Sequence, residues 1–282
     1  MKTGIVFEGG AFRTIYSCGI MDALIEEEIY ADYVVGVSAG AAYAASYVSK
    51  QKGRNLDIVL TYANDRRYMG FGNMLNPKNK SYYGLQFAFD RIPNELKPID
   101  YEEYAKYPGK FYAAVTNVRT GKAEYMDCSD ISKHYEIFQA TCALPILFPI
   151  INIDGEGYLD GGIADSIPVE EALRQGCDKV IVVLTRQPGY TKGYSKSIDI
   201  AVKKYRKYPE FCEAMKTRHI RYNETLKQLE QLEKEGKVMV FRPKHTDGFS
   251  KMERNLSKIQ ALYDDGYQQG REKMEEIKKF FS

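Results

Sequence analysis

The apolar positions of this chain alternate between short β-branched runs and stretches with an apolar residue at every third or fourth place, the pattern of a parallel sheet covered by helices. Residues 4–7 form the first apolar strand, and Ile15, Cys18, Met21, Ile25 and Ile29 follow at helical spacing, with Glu26, Glu27 and Glu28 at the close. A second strand over 33–37 runs straight into the alanine-rich 41–45. Together these predict a βαβ-like unit of about forty residues with a right-handed crossover.

Further along, Lys110–Val115 reads as a strand paired with Gly121–Met126 through a turn at Arg119-Thr120-Gly121. A helix is expected from about Asp130 to Cys142. In 143–149, Pro145 and Pro149 stop regular structure and leave apolar side chains on a rigid loop able to line a greasy pocket. Residues 155–162 suggest a hairpin-like turn and a short strand. Pro168 opens a helix ending near Gly176, and 179–184 is a strand apolar on both faces. Last come a helix from about Arg218 to Glu235 burying Tyr222, Leu226 and Leu229, a strand over Lys237–Phe241, and a long final helix. The expected buried stripe of that final helix is Met252, Leu256, Ile259, Tyr263, Met274 and Ile277. No linker, repeat or low-complexity run divides the chain, so one domain over 1–282 is expected, its motifs within about 4–185 and residues 186–282 completing it.

Two basic and aromatic stretches have competing readings, which for the first include a weaker one, nucleic-acid binding, for which no stacking motif of known spacing appears. From 55 to 99, many Tyr and Phe residues interleave with Arg66, Arg67, Lys78 and Lys80. They form either a cap over a site, a lid across 62–92 touching lipid, or a surface excursion whose aromatics complete the core, and the second is preferred. The basic run from 186 to 208 is read as solvated surface rather than a membrane-facing patch.

Composition narrows the function. A net charge of +2 over 282 residues gives no bulk attraction to nucleic acid. Five scattered cysteines without CxxC spacing suggest neither a disulfide framework nor a zinc site, and so a reducing compartment. The longest apolar stretch, 137–153, is broken by Gln139, Thr141, Pro145, Pro149 and Asn152 and is too short to span a bilayer. Met1-Lys2-Thr3-Gly4 leads directly into a strand, so a cleavable leader is not expected. The expectation is a cytoplasmic protein, with transient contact at a membrane surface if its substrate is held there.

Three stretches carry candidate chemistry. Gly36-Val37-Ser38-Ala39-Gly40, between a strand and a helix, has the small residues that a nucleophile elbow needs beside its serine. Glu8-Gly9-Gly10-Ala11-Phe12-Arg13 ends a strand in glycines whose N–H groups can face an anion, a candidate oxyanion hole. Asp160-Gly161-Gly162 leaves a carboxylate at a strand end. Taken singly, the serine and aspartate stretches have a plainer reading as turns, and the glycine stretch one as a dinucleotide or phosphate loop, although neither the full G-x-G-x-x-G nor a G-K-S/T ending is present. A base is needed for the serine proton. Ser38, Asp160 and then His219 or His245 follow the chain order of an α/β-hydrolase triad, but only one strand precedes Ser38. Both histidines are read as surface residues.

In order and approximate spacing, the three motifs resemble those of the bacterial patatin-like phospholipases, and Ala140–Phe148 resembles that family's apolar segment before the aspartate. The resemblance implies a three-layer α/β/α sandwich with a mainly parallel central sheet. It also implies a Ser38–Asp160 dyad without histidine, oxyanion donors at Gly9, Gly10 and Ala11, supporting roles for Arg13, Gly36, Gly40, Gly161 and Gly162, and no metal or other cofactor. The implied activity is hydrolysis of carboxylic esters of phospholipids or lysophospholipids through an acyl-enzyme. A thioesterase or small-ester esterase with the same dyad, or a non-catalytic lipid-binding protein on this scaffold, are the alternatives. The chain departs from the family where Ala11 and Thr14 replace glycines, and Ala11 keeps a donor role only with a negative φ.

Overall fold

The β-branched runs pair as strands buried on both faces. In the computed structural model, which describes residues 1–130 and 135–282, β1 (Thr3–Phe7) lies between β2 (Tyr33–Val37) and a later strand over Lys179–Val183. On its far edge β2 pairs with β3 (Lys110–Asn117), also in parallel. Two antiparallel additions join β3: β4 (Ala123–Asp127), and β6 (Glu156–Asp160) from a hairpin with β5 (Ile151–Ile153). The strand over Lys179–Val183 is β7, and β8 (Val238–Phe241) extends the sheet beyond it in parallel. The sheet therefore has eight strands, five of them parallel.

Successive strand residues point to opposite faces, and the two cores divide accordingly. Ile5 and Phe7 pack with α1 (Ile15–Glu26), α2 (Ala39–Val48) and α3 (Arg54–Tyr62), while Val6 packs on the other side with helices that come later in the chain. Beyond α3 come α4 (Phe71–Leu75), a π-helical turn over Phe87–Leu96, α5 (Tyr101–Ala105) and α6 (Tyr135–Thr141). The opposite face is covered by α7 (Val169–Arg174) and α9 (Pro209–Lys234), with α8 (Ser197–Lys204) between them in sequence. Finally, α10 (Leu256–Glu272) and α11 (Met274–Phe280) return to the α1 face. This is the expected helix–sheet–helix layering. No helix among the described residues is long and apolar enough to cross a membrane.

Three expectations change. The C-terminal helix is two helices: Ile259, Tyr263, Met274 and Ile277 are buried as expected and are joined in the buried stripe by Leu262, Gly266 and Gly270, whereas Met252 and Leu256 are 36 % and 40 % exposed. Close approach sets that stripe: α1 is buried from Ile15 to Ile25, and a Cβ on Gly266 would collide with the Tyr16 carbonyl oxygen. Of the helix expected over 130–142, α6 covers Tyr135–Thr141, and 131–134 lie outside the described residues. The aromatics of the 55–99 segment divide between the core and the wall of a cavity. Tyr62, Tyr82 and Phe87 are buried as core, while Tyr68, Tyr83 and Phe89 wall a cavity.

Candidate active site

At the end of β2 the chain reverses into α2 through Ser38, whose φ of 54° and ψ of −129° lie outside the regions ordinary side chains favour. Such a backbone stores about 1–3 kcal/mol of strain and persists only where its neighbours enforce it. The Ser38 carbonyl takes the N–H groups of Ala41 (3.0 Å) and Ala42 (3.1 Å), and the Ser38 N–H donates to Thr141 Oγ1 at 2.8 Å. The flanking glycines are needed for space: a Cβ on Gly40 would run into the Phe7 carbonyl, and one on Gly36 into the backbone of Ala41.

The sheet register explains how Asp160 reaches this serine. Tyr112, Ala113 and Ala114 of β3 pair with β2 and with β4, so those two strands occupy opposite edges of β3. Val115 and Thr116 pair with β4 and with β6, so β6 takes the edge that β2 has vacated. Val37 is opposite Ala114, and Asp160, running the other way, is opposite Val115. The two strands meet end to end. Thr141 sits at the junction, its hydroxyl donating to the Ala114 carbonyl at 2.6 Å while accepting from Ser38. Gly161 lies so close to β3 that a Cβ there would strike the Ala114 carbonyl.

Asp160 is 2 % exposed. Its Oδ1 accepts from the Gly162 N–H at 2.8 Å, and its buried Oδ2 has no hydrogen-bond partner. Burial raises the carboxyl pKa, opposed by Arg218 and then by the Ser38 hydroxyl, the Gly162 N–H and Lys251. Ser38 lies close enough to act on the Asp160 carboxyl, while Oδ2 has no hydrogen-bond partner. Cys142 is a second neighbour of Ser38, its thiol pKa pushed up by burial and then by Asp160.

Gly9, Gly10 and Ala11 line the same cleft as Ser38 and Asp160, and a Cβ on Gly9 would stand 2.9 Å from the Ser38 Cβ. The N–H of Phe12 goes to the Lys251 carbonyl (3.3 Å) and that of Arg13 to the Gly10 carbonyl (3.1 Å). Among the described residues, the N–H groups of Gly9 and Gly10 have no such partner. Ala11 corrects the expectation: its φ is +49°, the left-handed region where a glycine would sit without strain. The condition for its donor role is not met, which leaves Gly9 and Gly10 as the candidate donors. Arg13 is buried with Nε unpartnered, and burial followed by Arg186 lowers its pKa to about 10.

Ser38 stands where two spaces join. On one side an apolar cavity of about 1010 Å³, open mouth included, is walled by Ala42, Ile58, Tyr83, Phe89, Phe138 and Phe148 among others. On the other lies the polar cleft holding Asp160 and the glycine loop. Ala11, Ser38 and Leu144 border both. The sequence carries a matching signature: residues 5–173 fit the family model of the patatin-like phospholipases. The chain belongs to that family.

Residues 208–282 match a domain of unknown function, DUF6363. Among the relatives of this patatin-like chain is the uncharacterized protein YjjU of Escherichia coli K12, 25 % identical over 215 residues, spanning 70 % of this chain and 56 % of YjjU. Lysophospholipase nte1 of Aspergillus terreus is 24 % identical over 291 residues, spanning 98 % of this chain and 18 % of nte1. The chain thus spans little more than half of one relative and under a fifth of the other. In the crystal structure of VipD from Legionella pneumophila, the match has a TM-score of 0.46 at 15 % identity, over 96 % of this chain and 66 % of that one.

The patatin-like motifs therefore converge, while the histidines do not join them. His245 is exposed, and the half-buried His219 packs edge-on against Tyr194 at 5.5 Å between ring centroids. Neither lines the cleft, and His134 lies outside the described residues. Several residues around the site were not singled out individually in the sequence. Thr141 and Cys142 belong to α6 and its end, and Arg218 reads as one of several arginines on a polar helix. Arg186 and Lys192 belong to the run expected to be solvated, yet both line the cleft with Lys251.

Proposed function

We propose that this chain is a lipid acyl hydrolase that cleaves carboxylic esters of phospholipids or lysophospholipids with Ser38 as nucleophile and Asp160 as base. The observation that carries this reading is the position of Ser38, on a strained elbow between an apolar cavity and a polar cleft containing a buried carboxylate. Family membership supports the same reaction class.

The acyl chain lies in the apolar cavity and brings its carbonyl carbon to Ser38 Oγ. As Oγ attacks, its proton passes to Asp160 Oδ2, and the carbonyl π electrons move onto oxygen, which faces the N–H groups of Gly9 and Gly10. The tetrahedral adduct collapses, Asp160 returns the proton to the departing alcohol oxygen, and an acyl-Ser38 ester remains. Water then attacks that ester, again giving its proton to Asp160, which returns it to Ser38 Oγ as the fatty acid leaves. A buried carboxyl with a raised pKa is a stronger base than an exposed one, which offsets the lack of an imidazole. The C-terminal segment belongs to the same working unit in this reading, because β8 continues the sheet and α10 packs on α1.

Ser38→Ala and Asp160→Asn should each lower turnover of a short-chain chromogenic ester by about a thousandfold or more, with melting temperature nearly unchanged. His219→Ala and His245→Ala should stay within about threefold of the parent. A fluorophosphonate should label Ser38 and fail on Ser38→Ala. Loss of activity at either histidine comparable to Ser38→Ala replaces the dyad with a triad.

A further inference from the structure

Five cationic side chains line the polar side of the Ser38 cleft: Arg13 after β1, Arg186 and Lys192 after β7, Arg218 on α9, and Lys251 before α10. Two carboxylates, Glu8 and Asp160, line the same space. Their two charges offset only part of the five. Glu8 accepts from the Tyr222 hydroxyl at 2.8 Å and from the Thr185 N–H at 2.6 Å, and Asp160 Oδ1 accepts from Gly162. Among the described residues, none of the five cations has a carboxylate oxygen within 4.0 Å.

What holds the cations is neutral. The Arg186 guanidinium lies 4.4 Å from the Tyr190 ring centroid, the Lys192 ammonium 4.3 Å from that of Tyr222, and Arg218 Nε 3.5 Å from Ser166 Oγ. Arg13, 7 % exposed, has an Nε with no partner at all. The Lys192 backbone is pinned to α9 by reciprocal hydrogen bonds with the Asn223 side chain, at 2.8 and 3.0 Å. Positive charges gathered this way repel one another. Burial and then Arg218 push the Lys192 ammonium down to about 7, and Lys251 is lowered by burial and by Arg218, Arg13 and Arg186. An entering anion relieves that repulsion, and arginine forks match the oxygens of a phosphate.

We infer that this cleft is a phosphate subsite that selects acyl esters whose headgroup ends at the phosphate, as in lysophosphatidate, over choline or ethanolamine lipids. The inference rests on Ser38 being the nucleophile. A choline group would bring its own positive charge into a space where cations outnumber carboxylates five to two. Coenzyme A thioesters also carry phosphates, but the pantetheine arm holds them far from the acyl carbonyl. Here the cations begin at the dyad itself, since a Cβ on Gly162 would lie 3.0 Å from both Arg218 Nη2 and Asp160 Oδ1. A glycerol backbone joins carbonyl and phosphate over the short reach this requires. Arg218 and Lys251 both fall within the segment matching the domain of unknown function, which gives that segment a role in headgroup recognition.

The test presents one oleoyl group to the full chain as lysophosphatidate, lysophosphatidylcholine and oleoyl-coenzyme A. The expected kcat/KM for lysophosphatidate is about tenfold or more above that for lysophosphatidylcholine, a preference falling to about threefold or less in Arg218→Gln/Lys251→Gln and persisting in Arg218→Lys. Calorimetry with glycerol 3-phosphate on Ser38→Ala protein reads the subsite without turnover. Binding that weakens with salt and disappears in the double variant supports the inference, and absence of binding overturns it. Equal or faster turnover of lysophosphatidylcholine, with Ser38 still labelled by fluorophosphonate, overturns the subsite and leaves the hydrolase standing. A preference for oleoyl-coenzyme A assigns the cations to a nucleotide and overturns it as well. Failure of the fluorophosphonate to label the parent chain is failure of the hydrolase reading itself.

Discussion

Ser38 and Asp160 close two strands that run toward each other along one edge of β3, Val37 opposite Ala114 and Asp160 opposite Val115. One hydroxyl spans the junction, that of Thr141, bonded to the Ser38 N–H and to the Ala114 carbonyl. Thr141→Val keeps the shape and removes both bonds, leaving a buried donor and acceptor unpaired. The expected cost is about 2–4 kcal/mol in stability by denaturant titration, with kcat falling about tenfold as the elbow relaxes. An unchanged kcat would show that the elbow holds without the bridge.

The charge on Asp160 sets the acid side of the pH profile. Asp160 accepts a proton only when ionised, and burial raises its pKa, so kcat/KM should climb with pH through a limb above the ordinary carboxylate range. Arg218 opposes that rise. Arg218→Gln should therefore move the limb to still higher pH, measured on an uncharged ester so that headgroup binding does not enter. A limb that stays in place would remove Asp160 as its origin.

The apolar cavity should measure the acyl chain. Ala42 is half-buried on its wall, one helical turn beyond Ser38. Ala42→Phe fills the space beside the nucleophile and should cut kcat/KM for a long-chain ester about tenfold more than for an acetyl ester. Equal losses on both would indicate that the chain lies elsewhere.

Asp22 couples stability to pH far from the site. It is 1 % exposed on α1, accepts from the Gly53 N–H (3.0 Å) and the Tyr263 hydroxyl (2.7 Å), and burial raises its pKa from 3.8 to about 6. The folded state therefore holds this proton more tightly than the unfolded chain, and its contribution is lost as pH climbs from about 4 to about 6, a change of about 3 kcal/mol. Asp22→Asn has no proton to lose. Relative to the parent, its melting temperature should rise between about pH 4.5 and about pH 7.5. Parallel curves for the two proteins would show that Asp22 does not titrate in that window.

The linear order of residues determined the strands, because β-branched runs such as Val34-Val35 and Val180–Val183 have few other stable burials, and it determined the elbow, because glycines two residues either side of Ser38 mark a backbone with no room for side chains. It also marked Asp160 and the glycine loop as candidates. The tertiary structure decided what no spacing along the chain encodes. The left-handed φ of Ala11, the replacement of β2 by β6 on one edge of β3, and the gathering of Arg13, Arg186, Lys192, Arg218 and Lys251 all depend on contacts between distant segments. A lone arginine on a polar helix looks like solvated surface in sequence. Only folding brings four other cations beside it with just two carboxylates, Glu8 and Asp160, in the same lining.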